Sequence, residues 1–233
     1  MTIHLRDRVI LITGSSVGIG RETAYEFAKE GCKVVVTYYQ DRKEAEEVAE
    51  KCLAIGAPDV LVTQLNLMDD DSIRNTVKKT VERFGEISVL INNAGVMVRK
   101  HLRDQSFEEI EDQIGTNLEG LMKMTRESLP YVKDTIINIG SGMAFEGHEN
   151  ATSYCATKFG VRGFSRALSK ELPNVKVYAV HPTATATRMN NFSGKMPPEK
   201  VAKVILNTAK GEYEVDSGGD VRVEEVLANQ RVS

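Results

Sequence analysis

Residues 8–20 read Arg-Val-Ile-Leu-Ile-Thr-Gly-Ser-Ser-Val-Gly-Ile-Gly, followed by Ala24, Phe27 and Ala28 at helical spacing. The apolar run Arg8–Thr13 has the composition of a buried strand, and the apolar residues after Gly20 mark one face of a helix. Between them, glycines let the backbone turn tightly and come close to a ligand, while the first N–H groups of a helix and its dipole favour an anion. Gly14, Ser15, Ser16, Gly18, Ile19 and Gly20 therefore form a turn fit to cradle a pyrophosphate, with G-x-x-x-G-x-G spacing.

Outward from this unit, short β-rich segments alternate with longer helical ones. The expected strands are Arg8–Thr13, Lys33–Tyr38, Val60–Leu65, Ile87–Ile91, Thr135–Ile139, Val175–Val180 and a weaker Asp220–Val223. Helices are expected over Asp41–Ile55, Ser106–Leu129 and about Glu199–Lys210, with a loop or short lid from Pro182 to Pro198. Alternation of this kind predicts an α/β fold, a doubly wound Rossmann-type parallel sheet of six or seven strands with helices on both faces. No linker-like tract divides residues 1–233, so one domain is expected.

With 30 basic and 33 acidic side chains the net charge is −3, which supplies no electrostatic footprint for nucleic acid or an anionic membrane. No apolar run approaches the roughly 18 residues of a membrane span. Cys32, Cys52 and Cys155 are odd in number and show no C-x-x-C, which points to a reducing, cytoplasmic setting. His4, His101, His148 and His181 share no metal-ligand spacing and read as surface or loop residues; no metal site is expected.

Tyr154 and Lys158 are four residues apart and share one face of a predicted helix. A free phenol, with a pKa near ~10, is a poor acid or base at neutral pH unless its phenolate is stabilised. An ammonium about 5 Å away contributes roughly 3 kcal/mol at an effective dielectric of about 20, or roughly two pKa units, while burial works in the opposite direction. Ser141 ends the fifth strand, Asn117 lies in the helix before it, and Asn92-Asn93-Ala94-Gly95 follows the fourth strand.

Taken in order, T-G-x-x-x-G-x-G at Thr13–Gly20, N-N-A-G at Asn92–Gly95, Ser141 and Y-x-x-x-K at Tyr154–Lys158 resemble the short-chain dehydrogenase/reductase family, over roughly Arg8 to Thr187. The likeness is to its branch of 3-oxoacyl-carrier-protein reductases and glucose dehydrogenases. It implies hydride transfer between a nicotinamide cofactor and a small carbonyl or alcohol substrate. By the same resemblance Tyr154 is the general acid/base and Ser141 holds the substrate oxygen. Lys158 tunes Tyr154 and binds the nicotinamide ribose, and Asn117 completes a water-linked proton relay. Asn93, Ala94, Gly95, Asn66, Leu67, Pro182 and Thr187 join the glycine turn as cofactor contacts, Asn66 standing where the family usually has Asp beside the adenine.

Three departures matter. Thr183 replaces the glycine of the usual Pro-Gly-x-x-x-Thr, the lid is short, and Asp216–Asp220 only loosely echoes the family's C-terminal motif. That last difference favours a dimer over a tetramer, built on the apolar-rich helices at Ser106–Leu129 and Thr152–Leu172. The second strand ends without a carboxylate for a ribose 2′-hydroxyl, Asp41 being placed to cap the next helix. Ser15, Thr37 and Tyr38 as hydrogen-bond donors and Arg42 as a cation therefore favour NADP(H) over NAD(H). The competing reading is a regulator that keeps the fold and senses the cofactor without turnover. The intact set Asn117, Ser141, Tyr154 and Lys158 argues against it. Epimerisation or dehydration, as in longer relatives, would call for their extra C-terminal substrate domain.

Overall fold

The strands form because their β-branched runs are buried on both sides, the pattern of a parallel sheet covered by helices. The computed structural model describes residues 4–229. Its elements run β1 (Val9–Ile12), α1 (Gly18–Lys29), β2 (Lys33–Tyr38), α2 (Arg42–Ile55), β3 (Val60–Gln64), α3 (Asp70–Phe84) and β4 (Ile87–Asn92). Then come α4 (Phe107–Ile114), α5 (Gly120–Ser128), β5 (Val132–Ile139), α6 (Thr152–Glu171), β6 (Lys176–His181), α7 (Pro198–Lys210), β7 (Asp220–Arg222) and α8 (Val223–Asn229).

All seven strands are parallel, in the order β3-β2-β1-β4-β5-β6-β7. Successive residues of β1 face opposite ways. Ile10 and Ile12 pack with Phe27, Val48 and Ile205 of α1, α2 and α7, while Val9 and Leu11 pack with Ile73, Met124 and Leu168 of α3, α5 and α6. Order reverses at β1, where β2 and β4 lie on either side, so the carboxyl ends of these strands open a crevice there.

Two expected elements differ. The predicted helix over Ser106–Leu129 is interrupted by a π-helical turn at Gly115–Glu119, which holds Asn117. A π turn leaves room for a side chain to find partners outside the helix, and Asn117 uses it. β5 begins at Val132, three residues earlier than expected, because Val132 pairs with Ile87 ahead of a bulge in which Lys133 and Asp134 oppose Ser88. There the Ser88 hydroxyl accepts from Val9 N–H.

The 182–198 segment is less irregular than its composition implies. Thr185 bridges Met196, with Ala186 N–H donating to the Met196 carbonyl at 2.9 Å and Met196 N–H to the Ala184 carbonyl at 3.1 Å. Gly194 sits inside this crossing, where a Cβ would come within 2.3 Å of the Thr185 carbonyl carbon. Asp41 caps α2, accepting from Glu44 N–H.

Candidate active site

The glycine turn is shaped by what it packs against. Gly14 has φ 63°, and a Cβ there would sit 2.9 Å from Ala94 Cα. At Gly20 a Cβ would come within 2.3 Å of the Gly14 carbonyl oxygen and 2.5 Å of Asn93 Nδ2. Asn93 explains this closeness: its Nδ2 donates to the carbonyls of Thr13 and Gly14, while Thr13 Oγ1 accepts from the Asn93 and Ala94 N–H groups. The loops after β1 and β4 are thus tied together. No side chain caps the start of α1, where Val17 is the capping residue, so its first N–H groups face an open cleft.

That cleft has a volume of about 1070 Å³ and runs along the carboxyl edge of the sheet. At one end it is lined by Gly14, Ser16, Gly18, Ile19, Tyr38, Asn66 and Leu67; in the middle by Asn93, Ala94, Gly95, Pro182 and Thr187; and at the other end by Ser141, Tyr154 and Lys158. Of the residues expected to meet a cofactor, Ser15, Gly20, Thr37 and Arg42 are absent from this lining.

Their own contacts explain why. Ser15 Oγ donates to the Ile12 carbonyl and accepts from Thr37 N–H. Thr37 Oγ1 also donates to Ile12 and accepts from Gly14 N–H. Neither hydroxyl hydrogen is left for a phosphate, which corrects the expectation that these two side chains would donate to one; they hold the turn's shape instead. Arg42 pairs with Glu46 one turn along α2, at 2.7 Å. Asn66 Oδ1 accepts from Met68 N–H, so its carbonyl already serves a turn.

Thr183, which stands where the family has glycine, adopts no left-handed backbone conformation. Its side chain therefore meets no strain of the kind that demands glycine. Asn117 is fully buried behind the cleft. Its Oδ1 accepts from Val96 N–H at 2.7 Å, and its Nδ2 donates to the Val96 carbonyl and to Thr157 Oγ1. It braces the loop carrying Gly95 against α6, and a Cβ at Gly95 would lie 3.1 Å from Asn117 Oδ1 and 3.9 Å from Lys158 Nζ.

Tyr154 and Lys158 are 7% and 4% exposed. Lys158 Nζ donates to the Ile139 carbonyl at 2.8 Å and lies 5.5 Å from the centre of the Tyr154 ring. Burial pushes the Tyr154 phenol up to about 12, against a hydrogen bond to Ser141 and the field of Arg99, both of which lower it. Burial pushes Lys158 down to about 8. Burial thus outweighs the charge expected to draw the phenol toward neutrality: the tyrosine is a neutral acid, and the lysine, being desolvated, is a weakened cation. Ser141 Oγ accepts from Met143 N–H within the turn that follows β5.

Sequence reasoning also misplaced His181. It is fully buried at the end of β6, its Nε2 2.9 Å from Asp220 Oδ1 and its Nδ1 3.1 Å from the Ser141 carbonyl. A polar residue closing an apolar strand at the carboxyl edge was the available signal. His4, His101 and His148 are exposed, and His148 lines the outer cleft.

Residues 8–197 match the short chain dehydrogenase family. The chain belongs to the short-chain dehydrogenase/reductase family. It is 35% identical over 203 residues to a 3-oxoacyl-(acyl-carrier-protein) reductase of Staphylococcus aureus, covering 84% of this chain and 82% of that one. With the Thermotoga maritima reductase of the same name it shares 32% identity over 240 residues, 93% and 96% of the two chains. A glucose/ribitol dehydrogenase structure from Brucella melitensis superposes with a TM-score of 0.87 at 26% identity, over 95% and 97%. A Burkholderia cenocepacia short chain dehydrogenase solved in complex with NADP shares the fold, with a TM-score of 0.87 at 23% identity over 94% and 97%. This short-chain dehydrogenase/reductase is accordingly an NAD(P)-dependent oxidoreductase of carbonyl and alcohol groups. Among the described residues no helix is long and apolar enough to cross a membrane.

Proposed function

We propose that this enzyme interconverts a carbonyl and an alcohol using NADP(H) in preference to NAD(H), with Tyr154 as general acid/base. The observation that carries this reading is one cleft joining the glycine turn to Ser141, Tyr154 and Lys158. A dinucleotide fits the far end: Gly14 and Gly18, both at positive φ, shape the turn that leads into the uncapped start of α1, and both line the cleft. The residues that would hold it are Gly14, Ser16, Gly18, Ile19, Asn66, Leu67, Asn93, Ala94, Gly95, Lys158, Pro182 and Thr187. When bound, the nicotinamide supplies or accepts the hydride.

The chain's own side chains handle the proton and the oxygen. In reduction, Tyr154 gives its phenolic proton to the substrate oxygen as negative charge develops there, and Ser141 Oγ donates a hydrogen bond to the same atom. The Lys158 ammonium stabilises the phenolate left behind, so that the tyrosine can be reprotonated from solvent. Asn117 keeps the Gly95 loop and α6 in register through Val96 and Thr157; we assign it the proton relay through water beside that brace. Burial of the reacting end excludes bulk water. The 3-oxoacyl-(acyl-carrier-protein) substrate in its relatives' names places acyl thioesters first among candidate substrates, followed by ketones and sugars.

Preference for NADP(H) rests on the edge of β2. Tyr38 and Tyr39 line the cleft there, and Asp41 is occupied in capping α2. Arg42 is 73% exposed on its side chain, and a solvent-exposed pair such as Arg42–Glu46 is weak, so the guanidinium exchanges Glu46 for a phosphate at little cost. We expect kcat/KM with NADPH to exceed that with NADH by about tenfold or more, equivalent to about 1.4 kcal/mol. Arg42→Ala is expected to lower the NADPH value more than the NADH value. A tenfold preference for NADH would reject the assignment.

We further infer a homo-oligomer, a dimer rather than a tetramer, in a reducing cytoplasmic setting that suits its free Cys32, Cys52 and Cys155. Phe107, Ile114 and Met122 on α4 to α5 and Phe159 on α6 are exposed, the positions where the sequence carries more apolar residues than a sheet-facing stripe needs. Light scattering at micromolar concentration is expected to give twice the chain mass; a strict monomer would reject this.

A further inference from the structure

Behind Ser141 lies a polar network, centred on the buried His181, that the reaction as described does not use. Asp220 at the start of β7 accepts from Arg162 Nε at 2.9 Å and Arg166 at 2.7 Å, both on α6, and faces His181 Nε2 at 2.9 Å. Burial raises the Asp220 carboxyl, but Arg162 and His181 outweigh it and hold the group below the usual carboxylate range. Burial likewise outweighs Asp220 and the Ser141 backbone at His181 and lowers the imidazole below its ordinary value. The Asp220 carboxylate orients the ring by holding Nε2. Nδ1 meets both polar groups of the Ser141 backbone, its carbonyl oxygen at 3.1 Å and its N–H at 3.3 Å.

The ring is held tightly. A Cβ on Gly140 would lie 2.3 Å from His181 Nδ1, so the imidazole rests against the backbone immediately before the serine. Phe145, which follows the turn beginning at Ser141, meets the ring edge-on at 4.8 Å and is itself stacked by Arg162 at 4.3 Å and Arg222 at 4.6 Å. The segment from Gly140 to Phe145 is thus fixed at both ends by one network, while Ser141 Oγ faces Tyr154.

We propose that His181, oriented by Asp220, is a positioning residue that holds the Ser141 backbone so that Oγ meets Tyr154 and the substrate oxygen. This rests on the role given to Ser141 above. It makes the last strand, far along the chain from the motifs, part of the apparatus that aims the serine.

The test is a double-mutant cycle between His181→Leu and Ser141→Ala, with melting temperature, kcat and KM measured for each variant. His181→Leu is expected to lower kcat by about tenfold, with the KM for cofactor changed by less than about twofold. On the Ser141→Ala background it should cost less than about a further twofold, since the group it positions is gone. His181→Asn, which keeps a polar group near the Nδ1 position, should recover most of the lost kcat. Asp220→Asn, nearly isosteric, should reproduce the kcat loss if His181→Leu does not fold. Losses that multiply in the double variant, or equal kcat for the Leu and Asn variants at matched stability, would overturn the proposal while leaving Ser141 in place. An undiminished kcat in Ser141→Ala would instead overturn the assignment of Ser141 and this inference with it.

Discussion

Replacing Lys158 with methionine is expected to raise the thermal stability of the protein while removing its turnover. The Lys158 ammonium is buried beneath the cleft with one hydrogen bond, to the Ile139 carbonyl, and no carboxylate partner among the described residues. Burial takes it from an ordinary value of 10.5 to about 8. Because the folded value lies below the unfolded one, the unfolded chain binds this proton more tightly. Stability therefore rises with pH between about 8 and 10.5, and the full cost of the buried charge is present below about pH 8. At pH 7 that cost is about 3 kcal/mol, from about 1.4 kcal/mol per pKa unit. A methionine fills the same volume without charge, so calorimetry should show Tm several degrees higher at pH 7, with the gain shrinking toward pH 10. A lower Tm at pH 7 would mean that the lysine is a structural cation rather than a functional one.

Tyr154→Phe is the complementary change, expected to leave fold and cofactor affinity nearly intact and to cost turnover on the order of 10²–10⁴-fold, the usual value of a positioned acid. Phenylalanine keeps the ring that packs with Ala151, Cys155, Met97 and Met143 and removes only the oxygen. Cofactor affinity measured by titration and kcat measured at saturation separate the two effects. A variant that keeps most of its kcat would remove Tyr154 from the chemistry.

Much of this was readable from residues alone, and the reasons are local. Thr13–Gly20, Asn92–Gly95 and Tyr154–Lys158 each carry their geometry in adjacent positions: a turn that only glycine can make, or two side chains one helical turn apart. The strands could be read because a parallel sheet covered on both faces demands unbroken apolar runs, as in Val34-Val35-Val36. What escaped was long-range. That Thr37 spends its hydroxyl on Ile12 and its N–H on Ser15 follows from the pairing of β1 with β2, and no feature of either segment alone signals it. His181 and Asp220 are 39 positions apart, and only the closing strand pair β6–β7 brings them together. The π turn at Asn117 arises because its side chain finds Val96 and Thr157, partners contributed by two other elements. The sign of the Tyr154 shift depended on burial, which a helical spacing does not reveal.

The central claim is that one cleft both binds the nicotinamide cofactor and runs acid–base chemistry through Tyr154. The most direct measurement follows the nicotinamide absorbance of the purified protein with NADPH against acyl thioesters, ketones and sugars, with NADPH binding titrated on the same sample. The account predicts binding together with oxidation of NADPH by at least one of these carbonyl classes, the oxidation disappearing in Tyr154→Phe while binding persists. Tight NADPH binding with no turnover across the three classes would contradict it and mark the chain as a cofactor sensor.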